Sequence, residues 1–255
     1  MQSLYKINYA TVKQYSNKIK LTVMSALATN YEDRAYSEKG TVNDKKLEEN
    51  ISRARAKIFE YAFCNPWDYF VTLTLDKNKY DRFNLETFQK DFARFIGHLN
   101  SNNGLNIKYL LIPETHIDGA WHMHGFIMGL PSDQLRLFNL KEHLPTYIRD
   151  KLKEDQAVYD WDRYRKKFGF CDLEPIRNNE ACAKYVTKYV SKSLAADITT
   201  LGAHLYYCSK GLKTAEIIAK GHFSGQLKCP DYMNEYCAVR WYPVGELDTL
   251  LQGIV

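Results

Sequence analysis

The sequence has no C-x-x-C pair. Its six cysteines, Cys64, Cys171, Cys182, Cys208, Cys229 and Cys237, are scattered, a spacing that suits neither a zinc ribbon nor a small disulfide scaffold. They read as reduced thiols of a cytoplasmic protein. No apolar run approaches the roughly 20 residues that cross a bilayer, and MQSLYKINYATVK lacks the apolar stretch of a signal peptide. A soluble protein that engages no membrane is therefore expected. Internal repeats and low-complexity segments are also missing. The charge excess is small, 35 Lys and Arg against 30 Asp and Glu for a net +5, and alone it separates a nucleic-acid binder from an ordinary basic enzyme poorly.

Aromatic residues are abundant, with 19 Tyr, 12 Phe and 4 Trp. Tyrosines beside lysines can stack on bases and touch phosphates, although most tyrosines simply pack. A chain of 255 residues buries enough surface to fold without disulfides or a structural metal. Residues 1–30 look weakly strand-like. Leu47, Ile51, Ala54, Ile58 and Ala62 follow helical spacing and predict a helix over 44–63, stopped at Asn65-Pro66. YFVTLTL (69–75) reads as a strand, with Phe70, Thr72 and Thr74 on one face and Val71, Leu73 and Leu75 on the other. Leu85, Phe88, Phe92, Phe95 and Leu99 mark a helix over 84–99 with Asn84 as its N-cap. Two further strands, 107–114 and 120–130, are joined at Asp118-Gly119, a strong hairpin signal. Residues 133–167 are expected to be helical in parts, 168–176 to be a strand, and 179–194 a helix. In the C-terminal part, 238–244 is the clearest strand. This order predicts an α+β fold with a mostly antiparallel sheet.

AWHMHG (120–125) sets two histidines one residue apart. On a strand, His122 and His124 project from one face. They can be partly buried hydrogen-bonding residues, or they can hold a divalent cation with at least one more ligand. Glu114 is the natural third donor, because the hairpin brings the ends of its strands together. An acidic oxygen with two imidazoles suits Mg²⁺ or Mn²⁺, and Zn²⁺ also fits. His116, in the loop, is expected to be a solvent-facing bystander, with a supporting or substitute ligand as the alternative.

KYVTKYVSKSL (184–194) places Tyr185 and Tyr189 four residues apart, and Lys188 and Lys192 likewise. On a helix the two hydroxyls share a face with the amines alongside. One reading is an amphipathic helix with its aromatics packed inward. The other is chemical: a tyrosine hydroxyl, with an ordinary pKa of about 10, becomes a usable nucleophile when an ammonium or a cation stabilises the charge it develops. A metal site, paired tyrosines and lysines on one small sheet would make a phosphoryl-transfer centre.

The order FVTLTL, then H-hydrophobic-H with an upstream acid, then Y-x-x-K-Y-x-x-K resembles the HUH endonucleases, most closely the two-tyrosine rolling-circle replication initiators of bacterial phages and plasmids. The likeness spans about 69–192. It implies a central antiparallel sheet flanked by helices, as in RNA-recognition and ferredoxin-like folds, and a location in the bacterial cytoplasm. It also implies a metal held by Glu114, His122 and His124, with Tyr185 as first nucleophile, Tyr189 as second, and Lys188 and Lys192 as helpers at the phosphate. The reaction would leave a 5′-phosphotyrosyl link and a free 3′-OH on single-stranded or extruded origin DNA. Thr72, Thr74, Lys184 and the basic cluster Arg163, Arg165, Lys166 and Lys167 are the expected DNA contacts, although Asp155, Asp160 and Asp162 make a merely solvated helix an alternative for that cluster. No G-x-x-x-x-G-K-[ST] loop occurs, so a host helicase must unwind and a host polymerase extend. The expected organisation is an N-terminal extension (1–64), an endonuclease core (65–197) and a C-terminal extension packing on the core (198–255).

Other readings fit less of the sequence. A two-tyrosine transposase of this superfamily usually carries an N-terminal zinc segment, yet no cysteine precedes Cys64. Relaxases usually place the tyrosine before the histidine motif. A cupin needs a carboxylate soon after H-x-H, and none follows His124 before Asp133. A metallo-β-lactamase needs an acid at position 126, which is Phe126. A non-catalytic DNA-binding module on the same fold remains an alternative.

Overall fold

The computed structural model describes residues 8–24, 44–190, 204–234 and 236–255. The chain divides into two units, Met1–Thr41 with Lys213–Val255, and Val42–Leu212. This differs from the three consecutive segments anticipated above. The cause is pairing between distant strands. Strand β1 (Tyr9–Tyr15) and strand β2 (Lys18–Met24) form a hairpin that pairs with segments from the other end of the chain. The helix of the supposed N-terminal extension, α1 (Asp44–Cys64), belongs instead to the larger unit.

That larger unit is built on a seven-stranded antiparallel sheet. In chain order its strands are β3 (Tyr69–Thr74), β4 (Lys108–Thr115), β5 (Trp121–Met128), β6 (Leu135–Leu137), β7 (Tyr159–Trp161), β8 (Cys171–Pro175) and β9 (Tyr207–Cys208). Across the sheet they run β6-β7-β8-β3-β5-β4-β9. Its helices are α1, α2 (Leu85–Asn103), α3 (Thr146–Lys153), α4 (Asp162–Lys167) and α5 (Asn179–Val186). The α+β architecture with an antiparallel sheet flanked by helices is as expected from the sequence.

Alternation along β3 sorts its side chains. Val71 and Leu73 are buried, whereas Phe70, Thr72 and Thr74 are only half-covered on the opposite face. Helix α2 packs on the first face, where Phe92 meets Tyr109 of β4 edge-on at 5.1 Å and both Phe88 and Phe92 meet Phe168. Asn84 caps α2 as predicted, accepting the Thr87 N–H at 3.0 Å. The helix runs past Leu99 and stops at Gly104, whose φ of 62° lets the chain turn left-handed there. On the other face, Tyr185 of α5 packs edge-on against Phe70 at 5.7 Å, and α1 lies along α5.

Two elements differ from the sequence reading. The helix expected over 179–194 ends at Val186 and tightens into a single 3-10 turn, Thr187–Tyr189; residues 191–194 lie outside the described part. The 133–167 segment contributes β6 and β7 as well as two helices, because Trp161 and Asp160 are wholly buried in the sheet rather than on a solvated helix.

The smaller unit is a five-stranded antiparallel sheet, in the order β10-β1-β2-β12-β11. Besides β1 and β2 it contains β10 (Glu216–His222), β11 (Tyr232–Met233) and β12 (Cys237–Pro243), followed by α6 (Leu247–Leu251). Ala10, Val12, Ile19, Leu21, Val23 and Leu250 form its core.

The glycine that ends HMHG is required by close approach. A Cβ on Gly125 would lie 1.9 Å from the Leu110 carbonyl oxygen of β4, so Gly125→Ala must push two paired strands apart. A loss of about 3 kcal/mol in urea unfolding is expected; an unchanged midpoint would show that the strands give way without cost.

Candidate active site

The hairpin places Glu114, His122 and His124 on two paired strands. Glu114 sits directly opposite His122 in the β4–β5 register, and Thr72 and Thr74 of β3 sit opposite His124 and His122. A turn closes the hairpin, with Gly119 at φ 81° and the His116 N–H donating to Ala120 O at 2.8 Å. Glu114 Oε2 is 2.8 Å from His124 Nε2. That bond, outweighing partial burial, holds the Glu114 carboxyl below its ordinary pKa. Nδ1 of His122 is 3.0 Å from the Thr74 hydroxyl, which leaves its Nε2 for another ligand. Burial and the neighbouring His116 and His124 depress His122 to about 4, so its ring is neutral at physiological pH. His116 is exposed, as expected, and also stacks on His122 with ring centroids 4.1 Å apart, at the rim of the same cleft.

Among the described residues no three His, Cys, Asp or Glu side chains stand ready as a cage for a divalent cation; Nε2 of His124 is engaged by Glu114. The donor chemistry nevertheless fits: an anionic oxygen and two imidazoles share one face, and a cation can replace the Glu114–His124 bond.

The tyrosines meet this site. Although the helix tightens between them, the Tyr185 and Tyr189 hydroxyls are hydrogen-bonded at 2.9 Å. The Tyr189 ring stacks on His124, with centroids 4.3 Å apart and planes within 13°. Burial and the Tyr185 hydroxyl push the Tyr189 phenol above its ordinary value, so its phenolate is not preformed. Tyr185 is 46% exposed, the more accessible of the pair. Nζ of Lys188 lies over the Tyr185 ring, 5.3 Å from its centre. Arg55 of α1 anchors the end of this turn by donating to Val190 O at 2.9 Å.

Both groups open into one cleft of about 600 Å³, lined by Thr72, Thr74, His116, His122, His124, Tyr185 and Tyr189 on one side and by Tyr147, Lys151, Phe170 and Glu174 on the other. The second wall was not foreseen from the sequence, because α3 comes from a segment with no motif of its own. It encloses a wholly buried acid, Asp172, whose Oδ1 accepts the Tyr147 hydroxyl at 2.6 Å. Burial raises Asp172 to about 6 from 3.8, partly offset by the Tyr147 bond. A raised carboxyl favours the fold while protonated. Its contribution is complete below pH 3.8 and is lost as pH rises through about 6. Asp172→Asn should therefore gain about 3 kcal/mol on the wild type between about pH 4 and about pH 7, read from denaturation at each pH. A pH-independent difference would show that the carboxyl titrates normally.

The basic cluster does not converge on the cleft. Arg165 pairs with buried Asp160 and lies over Phe170 at 4.7 Å, and Lys167 lies over Phe168 at 5.1 Å. Arg163 and Lys166 line a separate groove with Phe95, His98 and Asn102. The expected DNA-contact set is thus split: Thr72 and Thr74 line the cleft, Lys184 pairs with Glu180 on the outside of α5 at 2.9 Å, and of the cluster Arg165 reaches the cleft wall at Phe170. Lys192 lies outside the described residues.

Residues 68–194, just under half of the chain, match a family model described as a replication-associated protein of the ORF2 type. The matched span holds all three motifs and every residue of the cleft. No curated protein and no solved structure matches the chain. Among the described residues no helix is long and apolar enough to cross a membrane.

Proposed function

We propose that the larger unit nicks and rejoins single-stranded or extruded origin DNA, initiating rolling-circle replication. The match to a replication-associated family supports the process. The observation that carries the chemistry is the pair of tyrosine hydroxyls, 2.9 Å apart in one cleft, with the Tyr189 ring stacked on His124.

In this reading the Tyr185 hydroxyl gives up its proton as its oxygen bonds to phosphorus. The bond from phosphorus to the 3′-oxygen breaks, that oxygen takes a proton as a free 3′-OH, and the 5′-phosphate stays on the tyrosine. The phosphodiester energy is conserved in the new ester, so resealing needs no nucleotide cofactor. Tyr189 performs the second attack by the same exchange, its proton balanced by the one taken up at the 3′-oxygen it displaces, and its bond to Tyr185 holds the two hydroxyls at one site. Glu114, His122 and His124 would hold Mg²⁺ or Mn²⁺, which supplies Lewis-acid polarisation of the scissile phosphate. Lys188 stabilises charge on the phenol oxygen. Tyr147 and Phe170 offer rings to unpaired bases and Lys151 a contact to phosphate. Strand separation and synthesis fall to a host helicase and polymerase.

Incubation of the protein with single-stranded origin DNA and Mn²⁺ tests this. A denaturation-resistant protein–DNA band that chelator prevents is expected. DNA binding with no such band would instead indicate a non-catalytic module on this fold.

A further inference from the structure

We infer that Asp172 is a positioning residue for His124, acting on the ring nitrogen that faces away from the cation. This rests on the metal reading proposed above. Among the described residues, two buried polar atoms of one sheet face lack hydrogen-bond partners: Nδ1 of His124 and Oδ2 of Asp172. The β8–β3–β5 register sets Asp172, Thr72 and His124 in one row, so the three side chains share a face. Two strand intervals of about 4.8 Å separate the outer backbones by roughly 10 Å. Only Thr72 stands between the two in that row, so a single bridging water is the partner that would join them.

The chemistry at the two ends is complementary. An imidazole whose Nε2 is taken by a cation must carry its proton on Nδ1, and that N–H needs an acceptor. Asp172 Oδ2 is a free acceptor in the same row. Its other oxygen accepts the Tyr147 hydroxyl, which restrains rotation of the carboxylate. One water bridging Nδ1–H to Oδ2, with the Thr72 hydroxyl as its third partner, satisfies both orphaned atoms. The relay Tyr147, Asp172, water, His124 holds the ring in the tautomer and orientation that present Nε2 to the cleft. Tyr147 and Asp172 enter from α3 and β8 and belong to none of the sequence motifs.

The test is Mn²⁺ affinity by calorimetry on the full chain without DNA, beside thermal melts. Asp172→Asn keeps the shape but offers a weaker, neutral acceptor. A roughly 10- to 100-fold loss of Mn²⁺ affinity is expected in a variant that melts no lower than wild type near neutral pH. Thr72→Val, which replaces the hydroxyl partner of the water by a methyl, should weaken Mn²⁺ in the same direction and serves if the Asn variant does not fold. Mn²⁺ binding in both variants within about twofold of wild type would overturn the inference and leave the metal site standing. Failure of the wild type to bind Mn²⁺ would overturn both.

Discussion

Replacing Tyr185 and Tyr189 together by Phe is expected to abolish covalent capture of DNA while leaving DNA binding within a fewfold of wild type. Among the described residues no other tyrosine hydroxyl lines the histidine side of the cleft; Tyr147, across the cleft, is committed to Asp172. Loss of a nucleophile removes the reaction path outright, and a drop on the order of 10⁴-fold or more in adduct formation is expected. The single variants separate roles. Tyr185→Phe should suppress the first cleavage, because Tyr185 is the exposed member and Tyr189 is half-buried with its phenol harder to ionise. Tyr189→Phe should still form the adduct but fail to transfer it to a second strand. Full adduct from Tyr185→Phe, and none from Tyr189→Phe, would reverse the order of attack.

Glu114→Gln is the second large effect. The substitution keeps size and a hydrogen-bonding group beside His124 but removes the anionic oxygen, the donor a hard divalent cation most requires. It leaves the Tyr189–His124 stack intact, which His124→Ala would not. Adduct formation at limiting Mn²⁺ should fall on the order of 10³-fold and recover in part as Mn²⁺ is raised. An unaltered Mn²⁺ titration would remove Glu114 from the metal site.

Particular residues show what the sequence could disclose. Glu114 against His122 was legible because period-two alternation and an Asp-Gly turn both act locally and together set the register. The meeting of Tyr185 with Tyr189 was legible from four-residue spacing, although the change to a 3-10 turn was not; that depends on packing by Phe70, His124 and Arg55 from three other elements. Asp172 was hidden inside FGFCDLEPI, since a strand acid looks the same whether it faces water or a tyrosine brought by a helix 25 residues away. For Arg165 and Lys167 the surroundings were hidden for the converse reason. Local charge density does not reveal that one guanidinium is held by Asp160 and the other head group lies on aromatic rings. The pairing of β1 with β10 joins Tyr9 to His222, a separation at which no local pattern in the sequence carries information.

The central claim is that the tyrosines of KYVTKYVSK become covalently joined to DNA. Lysines at 184, 188 and 192 flank them, so trypsin releases YVTK and YVSK as separate peptides. Mass spectrometry of the nuclease-trimmed adduct should find a nucleotide on the YVTK peptide after one cleavage, and on YVSK once strand transfer is allowed. A nucleotide on any other peptide, or none on either, would contradict the account.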